Sequence, residues 1–271
     1  MYRLAELGRF FFAVPMVAFG VQHFAYLDFV TRVFPKLPAW IPGHHYLAFI
    51  SGLFLFAAGF SIMNSQAARL TALLLGAVIL ASFTTLYLPL LITTPPNGGL
   101  WTSAGKALAL SGGSFLVAGS LPEKANGPLD AFAIASLVKF LEEFIALGRF
   151  FFAAFLILCG VEHFIYVEFV AAMVPSWIPW HIFWAYFAGV ALIAGGLGMV
   201  LPKTNWPMTT QLAAFLSGIM IFIWVLIVHI PRAAADLSNA NEMTAVFEAL
   251  AMSGTAFLAA ASIRNRHHQL P

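Results

Sequence analysis

The stretch that decides the fold is written twice: LGRFFFAVPMVAFGVQHFAYLDFVTRVFP at Leu7–Pro35 and LGRFFFAAFLILCGVEHFIYVEFVAAMVP at Leu147–Pro175 agree, without a gap, at 15 of 29 positions. The match resumes after a three-residue difference, where Trp40-Ile41-Pro42 and His44 pair with Trp177-Ile178-Pro179 and His181. Gly52 and Gly59 then meet Gly189 and Gly196, Gly76 and Pro89 meet Gly218 and Pro231, and Ser111-Gly112 meets Ser253-Gly254. A unit of roughly 130 residues has been duplicated, and each copy is one supersecondary assembly.

Each copy is strongly apolar. The chain of 271 residues is 61% hydrophobic and 9% charged, against about 25% charged in an ordinary soluble domain. No Asp, Glu, Lys or Arg occurs in 10–27, 37–68, 70–105, 169–202 or 204–231. A membrane-spanning helix needs about 20 mostly apolar residues, so every longer run can hold one. A soluble enzyme and a disordered chain are excluded. The net charge of +2 is too small and too scattered for nucleic acid. With Cys159 as the one cysteine, the chain forms no internal disulfide and runs no dithiol cycle.

The pattern predicts an all-α polytopic membrane protein with eight transmembrane helices, as two parallel four-helix repeats. The helices are expected near 8–32, 43–63, 68–91 and 101–120, then 148–172, 180–200, 209–231 and 243–263, with Pro and Gly breakers between them. The organisation is 1–120 for the first repeat, 121–146 for a linker, 147–263 for the second repeat and 264–271 for a basic cytoplasmic tail. Within the linker, DAFAIASLVKFLEEF (130–144) mixes apolar positions with charges and reads as an interfacial amphipathic helix. The opening segment is a retained helix and not a signal peptide, because its near copy recurs at 147–175. An even helix count per repeat gives both halves the same orientation. Nine of the basic residues fall on the side of the termini and four (Arg32, Lys36, Lys106, Arg232) on the other, which places both termini in the cytoplasm.

Most of the aromatic and glycine pattern is structural. Trp40, Trp101, Trp177, Trp180 and Trp184 fit an interfacial aromatic belt, and the glycines seven apart fit close helix packing. Arg9 and Arg149 are read as headgroup or snorkelling contacts.

The chemistry is expected at Glu162, His163 and Tyr166. His163 stands about 21 Å along its helix from Arg149, within the outer third of a hydrocarbon layer of ~30 Å. Ionisable groups there are costly and point to function. Spacings of three and four put Glu162, His163 and Tyr166 on one arc, where they could pass protons to a carbonyl or hydroquinone oxygen. The first repeat keeps His23 and Tyr26 but has Gln22 in place of the carboxyl, which favours the second half. His44, His45, His181 and His229 fall at the outer helix ends and are candidates to converge with His163 as ligand-binding groups. The competing reading for Glu162, His163 and Tyr166 is a polar cluster that pins helices together, and for His44, His45, His181 and His229 an ordinary interfacial histidine. No HExxH-type spacing supports a zinc or copper set, so no metal ligand is assigned; a haem held by His23 and His163 is a further cofactor alternative. Lys106 and Glu248 occupy equivalent positions with opposite charge, and either pair near the axis or snorkel separately.

The Gly-Val-x-His-Phe motif at 20–24 and 160–164, the following Pro…Ile-Pro corner and the Gly-rich second helix resemble the DoxX-like membrane proteins, typically four-helix units. The resemblance implies residence in the bacterial cytoplasmic membrane. It also implies quinone-linked redox work beside a membrane or periplasmic partner protein, as in DoxD, a membrane subunit of thiosulfate:quinone oxidoreductase. His23 and His163 match the family's helix-one histidine. No flavin or nucleotide fingerprint is present, so electrons would come from a partner or a small reductant. The alternatives are a non-enzymatic scaffold or assembly subunit, and a small-molecule transporter; helices with no break at mid-depth count against the last.

Overall fold

A computed structural model describes residues 2–30, 42–64, 67–122, 132–202 and 205–263. The Trp40–Ile41 corner, Lys124, Lys203 and the basic tail lie outside the described residues. Helices α1 (Tyr2–Tyr26), α2 (His44–Asn64), α3 (Ala68–Ser82), α4 (Leu88–Thr93) and α5 (Gly98–Gly119) form the first half. The linker holds α6 (Phe132–Glu142) and a 3-10 turn at Glu143–Ala146, and the second half holds α7 (Gly148–Ile165), α8 (Val167–Met173), α9 (His181–Val200), α10 (Pro207–Trp224), α11 (Ile230–Ala235) and α12 (Ala240–Ala261). There is no strand among the described residues. Among the described residues seven spans are long and apolar enough to cross a membrane, and the chain is an all-helical membrane protein. Helix α5 is not among those seven.

The two halves repeat in detail. Wide π-helical turns at Phe83–Tyr87 and Val225–His229 join α3 to α4 and α10 to α11, and a proline follows each two residues on, at Pro89 and Pro231. Asn97 and Asn239 cap α5 and α12 by accepting backbone N–H bonds through their side chains, which satisfies donors that a helix start leaves open. Ser111 donates to the Gly76 carbonyl and Ser253 to that of Gly218, each at 2.9 Å.

The packing crosses between halves. Helix α1 lies against α12 and α7 against α5, while α5 and α12 meet in the middle. The crossings are made by glycine: a Cβ on Gly254 would stand 2.7 Å from the Gly8 carbonyl oxygen, and one on Gly148 would stand 2.6 Å from that of Gly112. Helix α5 buries 13 of its 22 residues, so it needs no apolar exterior. Lipid-facing side chains such as Leu53, Phe60, Phe187, Val190 and Leu197 are exposed on the periphery instead.

Three boundaries differ from the sequence reading. Helix α1 begins at Tyr2 and ends at Tyr26, not 8–32; Leu27 takes a φ of +50° and turns the chain back. The span expected at 148–172 breaks at Tyr166 (φ −114°, ψ 39°) into α7 and α8. The π turns also interrupt two of the spans, toward their C-terminal ends.

At the end holding the helix starts of α1, α3 and α7, arginines serve carbonyls at helix C-termini. Arg9 donates to the Ser120 carbonyl at 3.2 Å, and Arg149 to those of Met199 and Leu201. Arg69 donates to the carbonyls of Ala118 and Leu121 and pairs with Glu142 at 2.7 Å. Cations at helix C-termini are favourable, and the Arg69–Glu142 pair ties the linker helix α6 to the bundle.

Candidate functional site

Helix α5 carries a file of small and polar residues one turn apart, and each meets a polar group of another helix. Gly98, at its start, sits under the ring of Tyr166, whose hydroxyl would lie 2.5 Å from any added Cβ. One turn inward the Thr102 hydroxyl lies 2.8 Å from both carboxyl oxygens of Glu162 and 2.8 Å from the Gly98 carbonyl. A further turn inward Lys106 pairs with Glu248 of α12 at 2.8 Å. The file descends about 12 Å over those eight residues.

The ion pair borders a cavity of about 140 Å³. His163 from α7, His229 from the π turn, Cys159 and Trp224 line it together with Lys106 and Glu248, and Leu156, Leu192, Ile221 and Met252 complete its apolar wall. His163 Nδ1 donates to the Cys159 carbonyl at 2.7 Å. A carbonyl can only accept, so Nδ1 carries the proton and Nε2 is the nitrogen left for the cavity. The Trp224 ring stands nearly parallel to the imidazole, with centroids 6.2 Å apart. Gly189 seats this histidine: a Cβ there would come within 2.9 Å of His163 Cβ. An apolar cavity of roughly 150 Å³ accommodates benzene, so this one has room for a single ring.

The structure therefore brings His163 and His229 into one cavity, with Glu162 and Tyr166 stacked beyond it toward the start of α5. The other candidates stand elsewhere. His23 is fully buried in the first half. Tyr26 is exposed at the end of α1. His44 and His45 are exposed at the start of α2 with ring centroids 3.8 Å apart, and His45 bonds to the Leu27 carbonyl. His181 lies in a separate open groove with Glu168 and Trp180. No three His, Cys, Asp or Glu side chains gather to hold a metal among the described residues.

Sequence reasoning missed Thr102 and Trp224. The arrangement is repeated in the other half: Thr244, the counterpart of Thr102, donates to Gln22, the counterpart of Glu162, at 3.2 Å.

The molecule is thus a duplicated helical membrane protein with a ring-sized polar cavity in its second half. A family model described as a domain of unknown function (DUF8561) matches residues 152–263, the region that contains most of that cavity. No curated protein and no solved structure matches the chain.

Proposed function

We propose that the chain is a DoxX-like subunit of the bacterial cytoplasmic membrane that holds the ring of a quinone, or a similar lipophilic molecule, in the cavity of its second half. The observation that carries this reading is the convergence of His163, His229, Lys106 and Glu248 on one ring-sized space. Small-molecule sites are characteristically apolar with a few convergent polar groups. Helix α5 counts as an eighth span, because it matches α12 in length and place and is enclosed by protein. The positive-inside distribution then puts the termini in the cytoplasm and the cavity nearer the outer leaflet.

Reduction of a quinone to a hydroquinone takes up two electrons and two protons. The chain's part is the protons: His163 Nε2 faces the ring oxygens, and Glu162, Thr102 and Tyr166 connect that depth with the outer end. The electrons come from a partner protein. The test is titration of the full chain in nanodiscs with duroquinone. Saturable binding that His163→Ala weakens at least tenfold supports the reading. Absence of saturable binding, or equal affinity in the variant, overturns it.

A second reading, an assembly subunit whose polar groups serve packing, is favoured by the Lys106–Glu248 bridge between the halves. It expects the same His163→Ala protein to fold and to retain partner assembly.

A further inference from the structure

We propose that the duplicated chain carries one ligand site and not two, with the space beside the helix-one histidine open in the second half and closed in the first. The inference rests on the cavity being the ligand site and concerns what sets its capacity.

The halves can be compared position by position. The wall residues Leu156, Cys159, Leu192 and Ile221 correspond to Met16, Phe19, Leu55 and Ile79. All four of these counterparts are 0% exposed; Leu156, Leu192 and Ile221 are buried in the same core, so the halves differ chiefly at the remaining position, where Phe19 is fully buried and Cys159 is only half-buried. Among these four the largest change is Phe19 for Cys159, which adds a whole ring where the second half has one sulfur. Interiors pack at crystal-like density, so a ring at this position occupies the room that the second half leaves open.

The histidines differ in the same sense. His23 Nδ1 donates to the Phe19 carbonyl at 2.7 Å, and its Nε2 accepts from the Val30 N–H at 3.4 Å. Both ring nitrogens are engaged within the first half. The counterpart of Val30 is Val170, and its N–H donates instead to the Tyr166 carbonyl at 3.0 Å, inside α8. Formation of α8 therefore withdraws from His163 the amide that caps His23. The turn at Leu27 folds the chain back over His23, whereas the second half continues as a helix and leaves Nε2 to the cavity. Trp224 in place of Ser82 runs the other way in size, and forms a wall parallel to His163.

The experiment uses methyl methanethiosulfonate, which transfers S–CH₃ to a thiolate and releases methanesulfinate, on full-length protein in nanodiscs. In a Cys159→Ala background, Leu156→Cys and Met16→Cys place single thiols at equivalent positions, and intact-mass spectrometry follows their modification. Size-exclusion chromatography confirms that each variant is folded. The expected result is modification of Leu156→Cys at least tenfold faster than of Met16→Cys; equal rates overturn the inference. A second arm avoids variants altogether. Methylthiolation of Cys159 in the native chain is expected to lower duroquinone affinity at least tenfold, and unmodified protein is expected to bind one duroquinone per chain. Two per chain, or unchanged affinity after modification, overturns the inference. If native protein binds no duroquinone but the tenfold labelling difference holds, the quinone reading fails and the open–closed asymmetry stands.

Discussion

Lys106 and Glu248 occupy the same position in the two halves of a duplicated chain, and they form a 2.8 Å ion pair with each other. Lys106 is 15% and Glu248 4% exposed at the side chain, so the pair is buried where α5 meets α12. Duplication supplied one position twice, and divergence to opposite charges turned it into a bridge.

That bridge predicts a charge-swap rescue. Removing one partner leaves an uncompensated buried charge, which costs about 3–5 kcal/mol. Lys106→Met and Glu248→Leu should each lower the thermal midpoint in detergent sharply. The double variant Lys106→Glu/Glu248→Lys should recover most of the loss, because the two positions are equivalent. Recovery of less than half would show that the surroundings, and not the pair, set the arrangement.

The threonine pair gives a second comparison. Thr102 faces Glu162 at 2.8 Å and Thr244 faces Gln22 at 3.2 Å. Hydrogen bonds to charged groups contribute about 1.5–3 kcal/mol and neutral ones about 0.5–1.5 kcal/mol. Thr102→Val should therefore destabilise more than Thr244→Val in equilibrium unfolding. Equal losses would mean that Glu162 is held neutral.

His23 and His163 should separate stability from binding. His23→Ala deletes a buried ring bonded at both nitrogens and should cost about 2–4 kcal/mol through cavity and orphaned polar groups. His163→Ala opens onto existing space and should cost under half as much, while removing ring binding. A His163→Ala protein less stable than His23→Ala would contradict the assignment of roles.

The glycine crossing is equally exposed to test. Gly254→Ala drives a Cβ to 2.7 Å from the Gly8 oxygen and 2.8 Å from the Phe12 nitrogen. Both neighbours are backbone and cannot yield, so a loss of about 1–3 kcal/mol is expected. Gly99→Ala meets only the Asn97 side chain, at 3.3 Å, and should stay within about 0.5 kcal/mol. A melt in which both behave alike would discount the crossing.

Much of this was legible in the sequence, for physical reasons. A span needs a long apolar run, so several helix positions followed from charge-free stretches and the others from the repeat. The duplication followed from identities that no signal peptide could repeat. The break at Tyr166 was not legible, since neither Gly nor Pro marks it. The early start of α1 was obscured by Arg3 and Glu6, which the helix carries beyond its apolar stretch. His163 and His229 could be anticipated to share a level, because both close outer helix ends. Their separation from His181 depends on helix rotation, which spacing along one chain does not fix. Thr102 was overlooked because a hydroxyl amid small residues has no pattern of its own until its partner is known.

The crossed packing of α1 on α12 and of α7 on α5 has a consequence for the halves taken apart. The first and last helices of each half pack on their own neighbours and also on the opposite half, so a half standing alone would leave the faces that α1 turns to α12 and α5 turns to α7 uncovered. The partnership that covers them is exclusive. Two first halves would bring two ammonium groups together at position 106, and two second halves would bring two carboxylates together at 248. Separately expressed halves should thus assemble only as mixed couples, and the gene fusion cannot be undone by simple self-association.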